Sequence, residues 1–197
     1  MKIEPVALEG RHVRMEPLNA SHAVDLFQAI QGTPMDFMFS WWGDWGSSVD
    51  FEKHLEENLC DQAHLYFALV EKSSGKAIGS SSYMDIRLAH RALEIGATWI
   101  GKQWQGTNMN PEMKFLMIRH AFETLGCNRV QLKTDGRNVQ SQNAMKKLGL
   151  HFEGILRKHL IAMDGFVRDT HMFSVTDEEW PALKSRIIDR LGYDPSV

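Results

Sequence analysis

Residues 92–113 read Ala92-Leu93-Glu94-Ile95-Gly96-Ala97-Thr98-Trp99-Ile100-Gly101-Lys102-Gln103-Trp104-Gln105-Gly106-Thr107-Asn108-Met109-Asn110-Pro111-Glu112-Met113. The first nine residues predict a strand, and Gly101 to Asn110 predict a loop. Asn110, Pro111 and Glu112 then predict a helix start: a capping acceptor, a proline at the first helical position, and an acid near the positive end of the helix dipole. Phe115, Ile118, Phe122 and Leu125 continue at 3-4-3 spacing, and Gly126 ends the helix. A strand, loop and helix in this order aim backbone N–H groups and the positive helix end at one point, an arrangement suited to phosphate. Taken alone, the same pattern describes an ordinary strand-to-helix turn.

Downstream, Val130 and Leu132 mark a strand, and Asn138 caps a helix carrying Ala144, Met145 and Leu148 and closed by Gly149. Residues 151 to 162 and 166 to 175 predict two strands joined through Met163-Asp164-Gly165. Thr176 and Glu179 predict a capping box for a last helix with Trp180, Leu183 and Ile187 inward. Upstream, Val13 and Met15 alternate with Arg14 and Glu16 as a first strand. Ala23, Leu26, Phe27 and Ile30 fall at helical spacing after Asn19 and Ser21, with Gly32 as a stop. A second helix opens at Ser48, with Phe51, Leu55 and Leu59 on one face. Residues 65 to 71 and 77 to 86 read as an antiparallel pair around Ser73-Ser74-Gly75. Antiparallel strands first, then a strand–helix–strand–helix–strand–strand run, predict an α+β fold with one parallel crossover.

The chain has 197 residues, 43% hydrophobic and 24% charged, enough for a sizeable core. No linker or repeat divides it, so residues 1–197 read as a single domain. The formal net charge of -3 argues against a dedicated nucleic-acid binder. Cys60 and Cys127 stand far apart and outside any CxxC pattern, which fits thiols in a reducing compartment. Met1 to Gly10 shows no signal-peptide core, and no run of about 18 apolar residues exists to span a membrane. A cytoplasmic location is the expectation. The nine histidines are scattered without metal-ligand spacing, so no metal is expected.

Several segments together resemble the GCN5-related N-acetyltransferase superfamily (GNAT), and within it the ribosomal-protein N-terminal acetyltransferase branch (RimJ/RimL-like). They are Leu93-Glu94-Ile95-Gly96, Trp104-Gln105-Gly106-Thr107, His120 to Gly126, and Thr134-Asp135-Gly136-Arg137-Asn138 with Ser141 and Ala144. Leu148-Gly149, Phe152-Glu153-Gly154, and Gly165 with Arg168-Asp169-Thr170 complete the set. The resemblance covers nearly the whole chain. It implies a mixed, mostly antiparallel sheet of about seven strands, helices on both faces, and a splayed parallel pair at the cofactor site.

It also implies acetyl-CoA as co-substrate and direct attack of an amine on the thioester, with no metal. In such folds the loop matching Gln105, Gly106, Thr107, Asn108, Met109 and Asn110 wraps the pyrophosphate. The backbone at Trp99 and Ile100 pairs with the pantetheine arm, and Asn138 contacts the far side of the cofactor. The family pattern Gln/Arg-x-x-Gly-x-Gly/Ala is altered here, because Asn108 and Asn110 occupy the two glycine positions. Asn tolerates the left-handed conformation best among residues with side chains, and Asn110 would double as the helix cap.

The chemistry needs a base for the amine, a donor for the oxyanion and a proton for the departing thiolate. Glu94 is the candidate base, with a structural carboxylate paired to an arginine as the other reading. Ser141 is the candidate donor to the thiolate, with a locally bonded residue of a helix's first turn as the other reading. Lys146-Lys147 and Arg157-Lys158 read as solvated faces or as partners of the 3′-phosphate. The stretch Met35 to Trp45, with three tryptophans, reads as a satellite core, an acceptor-side wall or a dimer contact. An edge strand or this stretch offers the surface for a homodimer. The acceptor is expected to be a protein or peptide N-terminal amine. Alternatives are a small amine (an amino acid, a polyamine or an antibiotic) or a non-catalytic acyl-CoA-binding module.

Overall fold

The computed structural model describes residues 2–33, 47–59, 63–162 and 165–194, the side chains of residues 54 and 58 excepted. The elements run β1 (Leu8–Glu9), β2 (Val13–Pro17), α1 (Ala23–Ile30), α2 (Ser48–Leu59), β3 (Leu65–Glu71), β4 (Ala77–Arg87) and β5 (Ala92–Ile100). They continue with α3 (Met109–Arg119), β6 (Arg129–Asp135), α4 (Val139–Leu148), β7 (His151–Ile161), β8 (Val167–Thr176) and α5 (Trp180–Leu191). The strands form one eight-stranded sheet in the order β1-β2-β3-β4-β5-β6-β8-β7. Every pair is antiparallel except β5 and β6. The expected α+β class, the single parallel crossover and the hairpin pairing of β7 with β8 are all present. The eighth strand is the two-residue β1, too short to carry an alternation. Met35 to Trp45, Cys60 and residues 163–164 of the last hairpin lie outside the described residues.

The core has two parts because the sheet separates them. On one face α3, α4 and α5 pack Phe115, Met117, Ile118, Met145 and Ile187 against Leu93, Ile95, Val130, Leu132 and Phe173. On the other, α1 and α2 pack Leu26, Ile30, Phe51 and Leu55 against Tyr66, Ala68 and Trp99. Each such large side chain, fully buried, contributes about 1.5–3 kcal/mol from apolar burial. Trp104 touches both clusters at the sheet's end. From Pro111 to Ile118 every residue of α3 is buried. This helix is buried on all sides, and its 3-4-3 stripe is only part of the contact.

Helix ends follow the sequence in most places. Gly149 (φ +106) closes α4 and Gly192 (φ +64) closes α5, both with the left-handed backbone that favours glycine. At α5 half of the expected capping box forms, with Glu179 accepting from the Thr176 amide at 2.9 Å. The run ending at Gly126 is not α-helical throughout. It becomes a π-helical turn at His120–Thr124. The Tyr83 hydroxyl donates to the Met117 carbonyl at 2.6 Å just before this change, inserting a side chain into the helix ladder.

Candidate active site

The parallel pair forms only over Ala92–Glu94 and Arg129–Gln131. Beyond Glu94 and Gln131 the strands part: β5 keeps its pairing with β4 and β6 keeps its pairing with β8. A wedge opens between them. The edge of β5 that faces it carries a bulge. Ser80 pairs with Trp99 and Ser82 with Gly96, so Ala97 and Thr98 together stand opposite Ser81. Ala97 takes φ +48 to make that turn. Gly96, Ala97 and Thr98 are half-buried on a strand otherwise buried at the centre of the sheet. The Gly96 carbonyl turns to the β4 serines and accepts from Ser82 at 3.2 Å. A Cβ at Gly96 would meet the Met84 sulfur and come 3.2 Å from Glu94 Oε1.

Glu94 sits at the apex and is 1% exposed. Its Oε2 accepts from Gln131 Nε2 at 3.1 Å, and Lys133 Nζ lies 3.1 Å from Oε1. The ion pair is close but not directed as a hydrogen bond, so Oε1 accepts none among the described residues. The partner foreseen as an arginine is therefore a lysine on β6. Gln131 Nε2 also donates to Asp85, and Arg87 donates to Gln131 Oε1 at 2.9 Å. The carboxylate is thus fixed from the parallel strand. On β8 the buried Arg168 donates to Thr170 at 3.0 Å and faces the charges of Asp135 and Glu94. Burial lowers its guanidinium, and the two carboxylates oppose that shift. Beside the open end of β6 a cavity of ≈ 450 Å³ is lined by Asp135, Arg137, Lys158, Phe166, Asp169 and His171, among others. There Arg137 is paired with Asp135 at 2.8 Å and stacks on the Phe166 ring at 3.6 Å.

The loop from Gly101 is tied down before it reaches α3. Lys102 N–H donates to Thr33, Trp104 Nε1 to Glu71, and Thr107 Oγ1 to the Trp104 carbonyl at 2.6 Å. Gln105 Nε2 donates to the Ile100 carbonyl at 3.0 Å, so part of the backbone foreseen for the pantetheine arm already has a partner. Gly106 turns the chain at φ +76 with open space around its Cα. Two expectations fail here. Asn110 is not the cap: α3 begins at Met109, with Asn108 preceding it and making no side-chain capping bond. Nor does either Asn use the left-handed region, since Asn108 has φ -75 and Asn110 lies within the helix. Pro111 is tolerated one turn in because the first helical N–H groups have no intrahelical partner anyway. The Met109 N–H at the helix start donates to Thr107 Oγ1 at 3.3 Å, so the loop itself supplies part of the cap. The positive end of the helix lies in this loop, and a helix start so placed fits a phosphate.

The structure also brings α4 to this loop. Gln140 Nε2 donates to Gln105 Oε1 at 3.2 Å. Asn138 caps α4 as expected, its Oδ1 accepting from the Ser141 amide at 2.9 Å. The half-buried Ser141 hydroxyl makes no hydrogen bond among the described residues. Trp99 buries its ring on the α1–α2 face, so only its backbone is placed to meet a ligand. One polar residue at the wedge escaped the sequence reading. Lys114, 7% exposed on α3, donates to Thr98 Oγ1 at 2.6 Å.

A family model described as "Acetyltransferase (GNAT) domain" matches residues 12–151. Among curated proteins, "Probable N-acetyltransferase YjcK" of Bacillus subtilis is 23% identical over 183 residues, covering 87% of this chain and 98% of that protein. Among solved structures, a GCN5-related N-acetyltransferase from Brucella melitensis is 34% identical with TM-score 0.91, covering 100% of this chain and 89% of that one. Mycobacterium smegmatis RimJ in complex with CoA-disulfide shares the fold at TM-score 0.79, with 18% identity and 95% of each chain covered.

Proposed function

The chain belongs to the GNAT acetyltransferase family, and we propose that it transfers the acetyl group of acetyl-CoA to the N-terminal amine of a protein or peptide. The observation that carries this reading is the wedge beyond Glu94 and Gln131, where β5 parts from β6 and runs on into the loop that starts α3. The loop Gln105–Asn110 would hold the pyrophosphate, with Gly106 letting the backbone approach. The half-buried edge of β5 up to Trp99 and Ile100 would take the pantetheine arm, and Asn138 the cofactor's far side. Bound there, acetyl-CoA supplies the activated acyl group. Glu94 takes the amine's proton on the oxygen that accepts no hydrogen bond, and Ser141 offers its hydroxyl to the departing sulfur. RimJ, whose fold this chain shares, was solved with a CoA derivative, which supports the same donor here.

The test combines titration of acetyl-CoA into the protein with thiol release against short peptides, amino acids, polyamines and aminoglycosides. Binding and release on peptides are expected, with Glu94→Gln lowering kcat by about 10²-fold while acetyl-CoA affinity holds. Release on polyamines alone would overturn the acceptor assignment, and absence of acetyl-CoA binding would overturn the donor.

A further inference from the structure

Lys114 is a cation buried where a helix buried on all sides meets the wedge, and nothing in the reaction described so far uses it. Its one hydrogen-bond partner among the described residues is the Thr98 hydroxyl at 2.6 Å. Thr98 Oγ1 lies 2.7 Å from Ser81 Oγ, and Ser81 Oγ lies 3.4 Å from the Gly96 carbonyl. The lysine can only donate while charged, so the Thr98 proton then turns away from it, toward Ser81 Oγ or the Gly96 carbonyl at 3.4 Å. A neutral lysine can accept, and the Thr98 proton can then point back. The Thr98 hydroxyl belongs to the bulge, on the half-buried segment that faces the opening.

The charged groups around Lys114 do not neutralise it by contact. Glu94 on β5 attracts it but spends its close contact on Lys133 of β6. Arg168 of β8 and Asp135 of β6 answer each other and Arg137. Glu112, two residues away on α3, turns to the N-terminal segment and Tyr193. His120 stands beyond the next turn, against Tyr83. Burial brings the Lys114 ammonium down to about 7, with Glu94 opposing the shift. An ammonium so destabilised gives up its proton readily near neutral pH.

We propose that Lys114 acts through the Thr98 hydroxyl to protonate the coenzyme A sulfur as it leaves. This rests on the transfer reaction above and deepens it. The amine nitrogen attacks the thioester carbon, an N–C bond forms, and the carbonyl electrons move to oxygen. On collapse the C–S bond breaks and its electron pair stays on sulfur. Sulfur takes the Thr98 proton, Thr98 takes one from Lys114, and the surplus proton on the amide nitrogen passes to Glu94. Before the next turnover Glu94 releases its proton to solvent and Lys114 takes one up, so no net proton is consumed. Ser141 orients the sulfur by a hydrogen bond, and Lys114 is a positioning residue and proton source behind Thr98.

The experiment is the pH profile of kcat/KM for the wild type and for Lys114→Met, Lys114→Arg, Thr98→Val and Ser141→Ala, with acetyl-CoA binding measured calorimetrically on each. The wild type is expected to lose activity on a basic limb as Lys114 gives up its proton. Lys114→Met should lower kcat by about 10²-fold and abolish that limb. Lys114→Arg should keep part of the rate and move the limb to higher pH. Thr98→Val should lower kcat with Lys114 still present, and Ser141→Ala should lower the rate without moving the limb. Lys114→Met with the wild-type rate and limb overturns the inference, as does Thr98→Val with the wild-type rate. A loss of rate in Lys114→Met with the limb unmoved assigns Lys114 to packing and also overturns it. A wild type that releases no thiol with any amine overturns both the inference and the function beneath it, whereas a working wild type with indifferent variants overturns the inference alone.

Discussion

Glu112 and Lys114 are two buried charges, two residues apart on α3, and their surroundings differ in every respect that matters. Glu112 is 0% exposed and meets its donors in full: the amides of Arg11 and His12 and the Tyr193 hydroxyl. Those donors come from both ends of the chain, so one carboxylate ties the β1–β2 turn and the C-terminal segment to the central helix. Lys114 has a single hydroxyl, and its neighbourhood opens on the wedge. A fully satisfied buried charge fixes a structure, whereas a poorly satisfied one is held ready to change state. The same helix therefore carries an anchor on one side and a reactive group on the other.

The largest effect that would break this contrast is at the anchor. Glu112→Ala takes the acceptor from the His12 amide and the Tyr193 hydroxyl, and leaves the Arg11 amide with the Tyr193 oxygen alone. Losing hydrogen bonds to a charged acceptor costs about 1.5–3 kcal/mol. Chemical denaturation should show a large fall in midpoint with little change in slope. Tyr193 adds a spectroscopic handle, since burial first and the Glu112 hydrogen bond second push its hydroxyl up to about 12. Glu112→Ala should bring the Tyr193 titration, followed by ultraviolet absorbance, back toward 10. If stability and titration both stay put, Glu112 is not an anchor.

The opposite sign is expected at Lys114. Its folded-state value of about 7 lies below that of an unfolded lysine. Between the two values the unfolded chain binds more protons, so stability rises with pH across that window, and the cost of the buried ammonium is complete below it. Lys114→Met should therefore melt higher than the wild type at pH 6. The gap should narrow as pH climbs from 7 toward 10, where the wild type no longer carries the charge when folded. A gap that is constant with pH would mean that packing alone sets it.

The contrast also marks how far the sequence could be read. Strand–loop–helix order, the glycine stops at 149 and 126, the Asn138 cap and the last hairpin were legible because each rests on a local rule. The Asn-Pro-Glu signal at residues 110–112 was legible too, yet it put the cap at Asn110 and the first helical residue at Pro111, whereas α3 begins at Met109. A proline is tolerated at the third helical position as well as favoured at the first, because the N–H it lacks would be unpaired at either. Ala97 gave no sign of its bulge, since alanine carries no mark of positive φ. Lys114 stands between Met113 and Phe115, and a lysine beside an apolar stripe reads as solvated. Only the burial of α3 on all sides, a tertiary fact, turns it inward. Glu94's partners were invisible for the same reason: Lys133, Gln131 and Arg168 come to it through strand pairing across the sheet.

Asn138 gives the smallest effect and sharpens the contrast most, because it would belong to both classes at once. As a cap it satisfies the Ser141 amide at 2.9 Å, a local bond at the start of a ten-residue helix. Asn138→Ala should cost about 1 kcal/mol, a modest drop in melting temperature. If Asn138 also meets the cofactor, acetyl-CoA affinity should fall in the same variant, and two further substitutions separate the causes. Asn138→Ser restores a capping oxygen with a shorter reach, so stability should return while affinity stays low. Asn138→Asp restores the cap and strengthens it through the helix dipole, but sets a second negative charge beside the phosphates and should weaken binding further. If affinity instead tracks stability through all three, the residue holds α4 in place and the cofactor senses only the helix. Asn138 would then stand with Glu112 as an anchor, and Gln140, which already reaches Gln105, would be the better candidate for the contact across the wedge.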